Sequence, residues 1–171
     1  MKQYLLIVTA ALFFSTTALA LEKTSTEPSG KMNPRVQQVR PYELDQTLQT
    51  FTKTAHGGVQ HVVAKSPNNT KQIKLIQAHL RELANQFRNG NFSASERMHG
   101  PEMPGLAQMK KAEKDDIHYQ YKALEDGAQI HYSTEFPPYV LALHEWFDAQ
   151  ASDHGNAELP QHSQHHLTPA E

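Results

Sequence analysis

Residues Ile117–Phe136 read IHYQYKALEDGAQIHYSTEF, and this stretch decides the fold. Asp126-Gly127 at its centre is a two-residue hairpin signal, because a type I′ turn needs the positive φ that Asp and Gly tolerate. Pairing about that turn sets Ile117 opposite Phe136, Tyr119 opposite Thr134, Tyr121 opposite Tyr132 and Ala123 opposite Ile130. Strand side chains alternate, so all of these share one face. The other face carries His118 opposite Glu135, Gln120 opposite Ser133 and Lys122 opposite His131. One face is expected to pack on helices and the other to be wet. A one-residue slip would mix the two sets, which supports this register.

The chain on either side supplies the helices. Pro137-Pro138 opens a helix on its C-terminal side, since proline fits a first turn. Val140, Leu143, Phe147 and Ala151 form its stripe, widened by Leu141 and Trp146, and Asp153-His154-Gly155 closes it. On the N-terminal side, Asn69 is the expected cap of a helix whose Ile73, Ile76, Leu80, Leu83 and Phe87 fall at steps of three and four. That helix stops near Asn89-Gly90, and Ser93 to Gly105 reads as a loop holding about one helical turn. Val59 to Ala64 reads as a strand. Before it, Leu44, Leu48 and Phe51 lie at helical spacing, which predicts a helix from Tyr42 to Thr54 stopped by Gly57-Gly58. The pattern is that of a small single α+β domain: a mostly antiparallel sheet with a C-terminal hairpin and helices on one face.

The ends read differently. Lys2, the apolar run Tyr4 to Phe14 and Ala18-Leu19-Ala20 have the form of a cleavable signal peptide over residues 1–20, with cleavage near Ala20. The apolar run is shorter than the ~20 residues of a spanning helix. The expected address is the periplasm, or the medium, after cleavage. Residues 21–35 are too polar to pack and read as a disordered N-terminal segment. The folded domain is expected over 36–155. Residues 156–171, with His162, His165 and His166, read as a disordered histidine-containing tail.

Composition narrows the function. Lys2 leaves with the signal, so 15 of the 16 Lys and Arg face 18 Asp and Glu, a formal charge of −3. That is no nucleic-acid footprint, and no later segment is apolar enough for a membrane span. There is no cysteine, although export would permit disulfides. The unusual feature is 11 histidines, all beyond the signal. His56 and His61 sit in His56-Gly57-Gly58-Val59-Gln60-His61, where glycine allows close backbone approach to a bound group. His99 and Met103 sit in His99-Gly100-Pro101-Glu102-Met103-Pro104-Gly105. His144 has Asp148 four residues on, on the same helix face, as a partner for its second nitrogen. His154 ends that helix.

These segments, together with Leu143-His144-Glu145-Trp146-Phe147-Asp148-Ala149-Gln150, resemble a family of small exported bacterial proteins whose members often carry the label aspartate carbamoyltransferase. The resemblance covers about Tyr42 to Gly155. It implies one exported domain with shared histidine motifs. The Ser-Thr-Arg-Thr phosphate loop of the transferase is missing here, so the resemblance does not extend to carbamoyl transfer.

Imidazole, thioether and carboxylate are metal ligands, and histidine with methionine suits copper. A thiol-free ligand set also survives an oxidising compartment. The leading expectation is an exported metal-binding protein, copper ahead of zinc, with ligands drawn from His56, His61, His99, Met103, His144 and His154. For the motif histidines to share an ion, His56, His99 and His144 must converge. Three other functions compete: a haem- or other cofactor-binding protein, a metal-assisted hydrolase, and a metal-independent interaction module. No catalytic motif stands out, which leans against an enzyme, and no protein partner can be named from these residues.

Overall fold

A computed structural model describes residues 40–154. The expected signal, residues 21–35, the first residues of the expected domain (36–39), residue 155 and the expected tail lie outside them. A short 3-10 turn, Leu44–Gln46, leads into strands β1 (Thr47–Thr54) and β2 (Gly57–Ala64). Helices α1 (Thr70–Arg88), α2 (Ser93–His99) and α3 (Leu106–Met109) follow, then β3 (His118–Ala123), β4 (Gly127–Ser133) and helix α4 (Pro137–His154). The four strands form one antiparallel sheet in the order β1-β2-β4-β3. The fold is a small α+β domain, as the sequence implies. No helix among the described residues is long and apolar enough to cross a membrane.

The first element differs from expectation. Thr47 to Thr54 is a strand, not a helix. Four threonines and Phe51 in eight residues favour the pleated conformation, and β1 finds a complete partner in β2, from Thr47 opposite Ala64 to Thr54 opposite Gly57. Leu48 and Phe51, three apart, therefore point to opposite faces. Gly57-Gly58 accordingly ends no helix. A Cβ on Gly58 would lie 1.9 Å from the Phe147 ring, so the glycine makes room for α4.

The hairpin keeps its predicted alternation but slides in register, and Phe136, expected on the packed face, lies beyond β4 and is 50% exposed. Tyr119 pairs with Tyr132, Tyr121 with Ile130 and Ala123 with Ala128, two residues from the expected partners. A slide of two preserves alternation, so the aromatic face survives. The turn closes earlier than the Asp-Gly signal suggests, with Leu124 N–H donating to Gly127 C=O at 3.0 Å. Gly127 has no positive φ. It already belongs to β4, opposite Val63.

Both long helices cover the face that presents Phe51, Val62, Ile130, Tyr132 and Tyr119. The side chain of Asn69 caps α1, accepting from Gln72 N–H at 3.3 Å, and all five stripe residues of α1 are buried. On α4 the buried set is Ala142, Leu143, Trp146, Phe147 and Gln150, while Leu141 is 60% exposed. The stripe is thus turned from the expected one, because β1 and β2 lie under α4 where a helix had been expected to pack. The polar pair in this core is satisfied, with Tyr132 O–H donating to Gln60 at 2.7 Å. The opposite sheet face is exposed along β3 and at Thr52 of β1. Val59, His61 and Val63 on central β2 are buried.

One packing detail contributes to the loss of stability in acid. His79 on α1 lies edge-on to Tyr42, ring centroids 5.6 Å apart. Burial, helped by the charge of Arg40, lowers its pKa to about 4. In the unfolded chain the value returns to ~6.5. Between those values the unfolded chain holds a proton that the folded chain refuses, so stability falls as pH drops from about 6.5 to about 4. The loss from His79 alone should be on the order of 3 kcal/mol. Urea unfolding at pH 7 and pH 4 measures it. His79→Gln should flatten the decline, and an unchanged decline would contradict this assignment.

Candidate metal site

The only site residues that the described structure shows in contact with each other are His99 and His154. His99 is the last residue of α2, and the N–H of Gly100 closes that helix on Glu96 C=O. His154 is the last described residue of α4. Buried Ala94, Ser95 and Met98 hold α2 against the body of the domain. The two rings meet edge to face, with centroids 4.9 Å apart and planes at 77°. Their Nε2 atoms are 3.2 Å apart. On its other side His154 lies against Phe51 of β1, centroids 6.3 Å apart.

Asp153 completes the arrangement. Its Oδ2 is 2.5 Å from His99 Nδ1. The His99 side chain is 1% exposed and that of Asp153 39%. Burial lowers the pKa of His99, and this outweighs the hydrogen bond and charge of Asp153, which act to raise it. His99 is therefore neutral, and the short contact is an imidazole N–H donating to a carboxylate rather than an ion pair. His154 is held down further, to about 2, by burial first and then by Arg40 and His99.

The tautomers follow from the partners. A carboxylate only accepts, so His99 donates from Nδ1 and its Nε2 carries a lone pair. The proton between the two rings then belongs to His154 Nε2. His154 Nδ1 is left bare, buried and without a hydrogen-bond partner among the described residues. The chain runs Asp153, His99, His154, ending on a lone pair.

The remaining expected ligands have other partners. His144 donates from Nε2 to Thr54 C=O at 2.9 Å. Ten residues before His154 on the same helix, it stands roughly 15 Å away along the axis. Asp148 does not orient His144. Its carboxylate takes Lys53 Nζ at 2.7 and 3.0 Å. The helix spacing brings Asp148 and His144 to one face, but a cation from β1 is the stronger partner there. His56 is on the Ala55-His56 turn, its side chain 63% exposed and 3.8 Å from Glu135. His61 lies in the middle of β2, fully buried, on the sheet face away from α1 and α4. Met103 is buried among the apolar residues of the main core. The convergence of His56, His99 and His144 does not occur. Among the described residues no group of three or more His, Cys, Asp or Glu side chains is arranged around one ion position.

Asp153 is the site residue that the sequence reading missed. Its signal was present, since it adjoins His154 in the last turn of α4. Its role depends on α2 docking beside that turn, which no local pattern announces.

Comparison with protein-family models, with curated proteins and with solved structures finds no match.

Proposed function

We propose that this is an exported metal-binding protein whose ion, copper ahead of zinc, sits between His99 and His154. One observation carries the reading, the 3.2 Å separation of two facing Nε2 atoms. Two imidazoles bound to one metal at about 2.0 Å, at a tetrahedral angle, hold their nitrogens about 3.3 Å apart. An ion keeps the nitrogens near this spacing once the rings turn both lone pairs towards it. Asp153 supports the reading as well, since a carboxylate on the remote nitrogen fixes the ring and makes the ligating nitrogen more basic. Both rings are neutral at pH 7, the state that binds metal. The single proton between them can move to the bare Nδ1 of His154, so no net proton need be lost. The signal-like N-terminus and the thiol-free composition agree with ligation by imidazole in an oxidising compartment.

The test uses protein in which His162, His165 and His166 are replaced by Ala, so that the tail cannot collect metal. After copper dialysis and a chelator wash it should retain about one equivalent, and retention under ~0.2 equivalents would sink the proposal. His99→Ala or His154→Ala should weaken binding at least tenfold, or ~1.4 kcal/mol. His56→Ala and His144→Ala should leave it unchanged. Equal losses from all four would mean diffuse binding.

A further inference from the structure

We infer that the outer face of the sheet, turned away from α1 and α4, is covered by the chain's own stretch Val36-Gln37-Gln38-Val39, laid across β1, β2 and β4. The inference is independent of the metal-site reading. Thr50, His61 and Gln129 form one row on this face, Thr50 opposite His61 and His61 opposite Gln129. All three are buried, His61 to 0% exposure. Val59 and Val63, which flank His61 on β2, are buried too, yet neither belongs to the core beneath the helices. A side chain on an uncovered sheet face keeps its tip in water, as Gln120 and Lys122 do on β3. Both ring nitrogens of His61 are buried instead.

The described elements do not supply this cover. Helices α1 and α4 pack on the opposite face, α3 packs on α4, and Gly105 lies against Ala142 of α4. The exposures are those of a single chain, so the cover belongs to the chain itself. It therefore lies before Arg40 or after His154. Entry point, reach and chemistry select the first. Arg40 Nη1 donates to Gln49 Oε1 at 3.1 Å, which holds residue 40 beside the edge strand β1, next to Thr50. From β1 to β4 is two strand spacings, ~10 Å, and four extended residues reach ~13 Å. The buried row stops at that distance, since Lys122, opposite Gln129 on β3, is exposed. Residues 36–39 are two valines and two glutamines, uncharged like the valines, Thr50 and Gln129 beneath them. The chain after His154 runs Gly155-Asn156-Ala157-Glu158-Leu159-Pro160, which brings a charge and a proline to the same reach.

The chain has no cysteine, so one introduced thiol reports on the face. In the mature chain, Thr50→Cys should react with a thiol reagent at least about tenfold more slowly than Thr52→Cys, whose position on the same face is exposed. Val36→Asp combined with Val39→Asp should abolish that protection. Leu159→Asp combined with Leu167→Asp should leave it intact. Near-ultraviolet circular dichroism checks that each variant is folded. If the Val36/Val39 pair unfolds the domain, crosslinking takes its place. Thr50→Cys should then form a disulfide with a cysteine at one of positions 36 to 39, and none with Leu159→Cys. Equal reactivity of Thr50→Cys and Thr52→Cys would mean an open face and overturn the inference. Protection that survives the Val36/Val39 pair, or a cysteine scan of 36 to 39 without a crosslink, would place the cover elsewhere and overturn it as well. Copper binding by His99 and His154 is untouched by any of these results.

Discussion

Replacing Gly127 by Val should destabilise the domain by more than ~3 kcal/mol, among the largest single-residue effects available in this fold. A Cβ at this position would stand 2.1 Å from Val62 O and 2.8 Å from Val63 Cα, both backbone atoms of the central strand. No side chain can rotate to relieve the contact. β2 and β4 would have to part, and they share a continuous register from Gly57 opposite Ser133 to Val63 opposite Gly127. Asn separates this cause from a turn requirement. Asn tolerates positive φ and is accepted in hairpin turns, but it carries the same Cβ. Gly127→Asn should therefore be about as damaging as Gly127→Val. Chemical denaturation reads both, and a near-neutral Asn variant would mean that the turn, not the strand contact, selects glycine.

Trp146→Ala should cost ~3–5 kcal/mol, the usual range for deleting a large buried aromatic. Trp146 is 1% exposed and central to an aromatic cluster. Its ring lies 5.3 Å from Tyr132, 5.4 Å from Phe147, 5.9 Å from Phe87 and 6.3 Å from Phe51. These neighbours come from β4, α4, α1 and β1, so the cavity would open where both helices meet the sheet. The indole N–H has no hydrogen-bond partner among the described residues. Trp146→Phe should therefore cost clearly less than the Ala variant, because it gives up area without losing a hydrogen bond. Thermal unfolding of the two variants checks the order. Trp146 lies two turns before Asp153 and His154, so the same cluster that holds α4 on the sheet also aims the last turn at His99.

The long periodic elements were legible because their pattern is local. The five apolar residues of α1 are buried, as are Tyr119, Ile130 and Tyr132 of the hairpin, with Tyr121 half-buried on the same face, and each pattern is set within one element or hairpin. Two elements were ambiguous locally, and tertiary pairing decided them. Leu44, Leu48 and Phe51 fit a helix, yet the threonines between them fit a strand, and the long partner β2 settles the matter. Asp126-Gly127 carries the pattern of a turn, but the glycine answers to the neighbouring strand across the sheet. The site divides in the same way. His99 and His154 stood out as histidines beside glycine, one in a loop and one at a helix end. Their pairing, and the choice of Asp153 over Asp148, depends on which cation or helix end lies opposite. Lys53 reaches Asp148 from β1, and α2 ends beside Asp153. Neither relation has a sequence period.

The most direct test of the His99–His154 site is anomalous diffraction from a copper-loaded crystal, recorded at the copper edge. The account predicts one dominant peak about 2.0 Å from both His99 Nε2 and His154 Nε2, with Asp153 still bonded to His99 Nδ1. A dominant peak at His56, His61 or His144, or none at the His99–His154 pair, would contradict it.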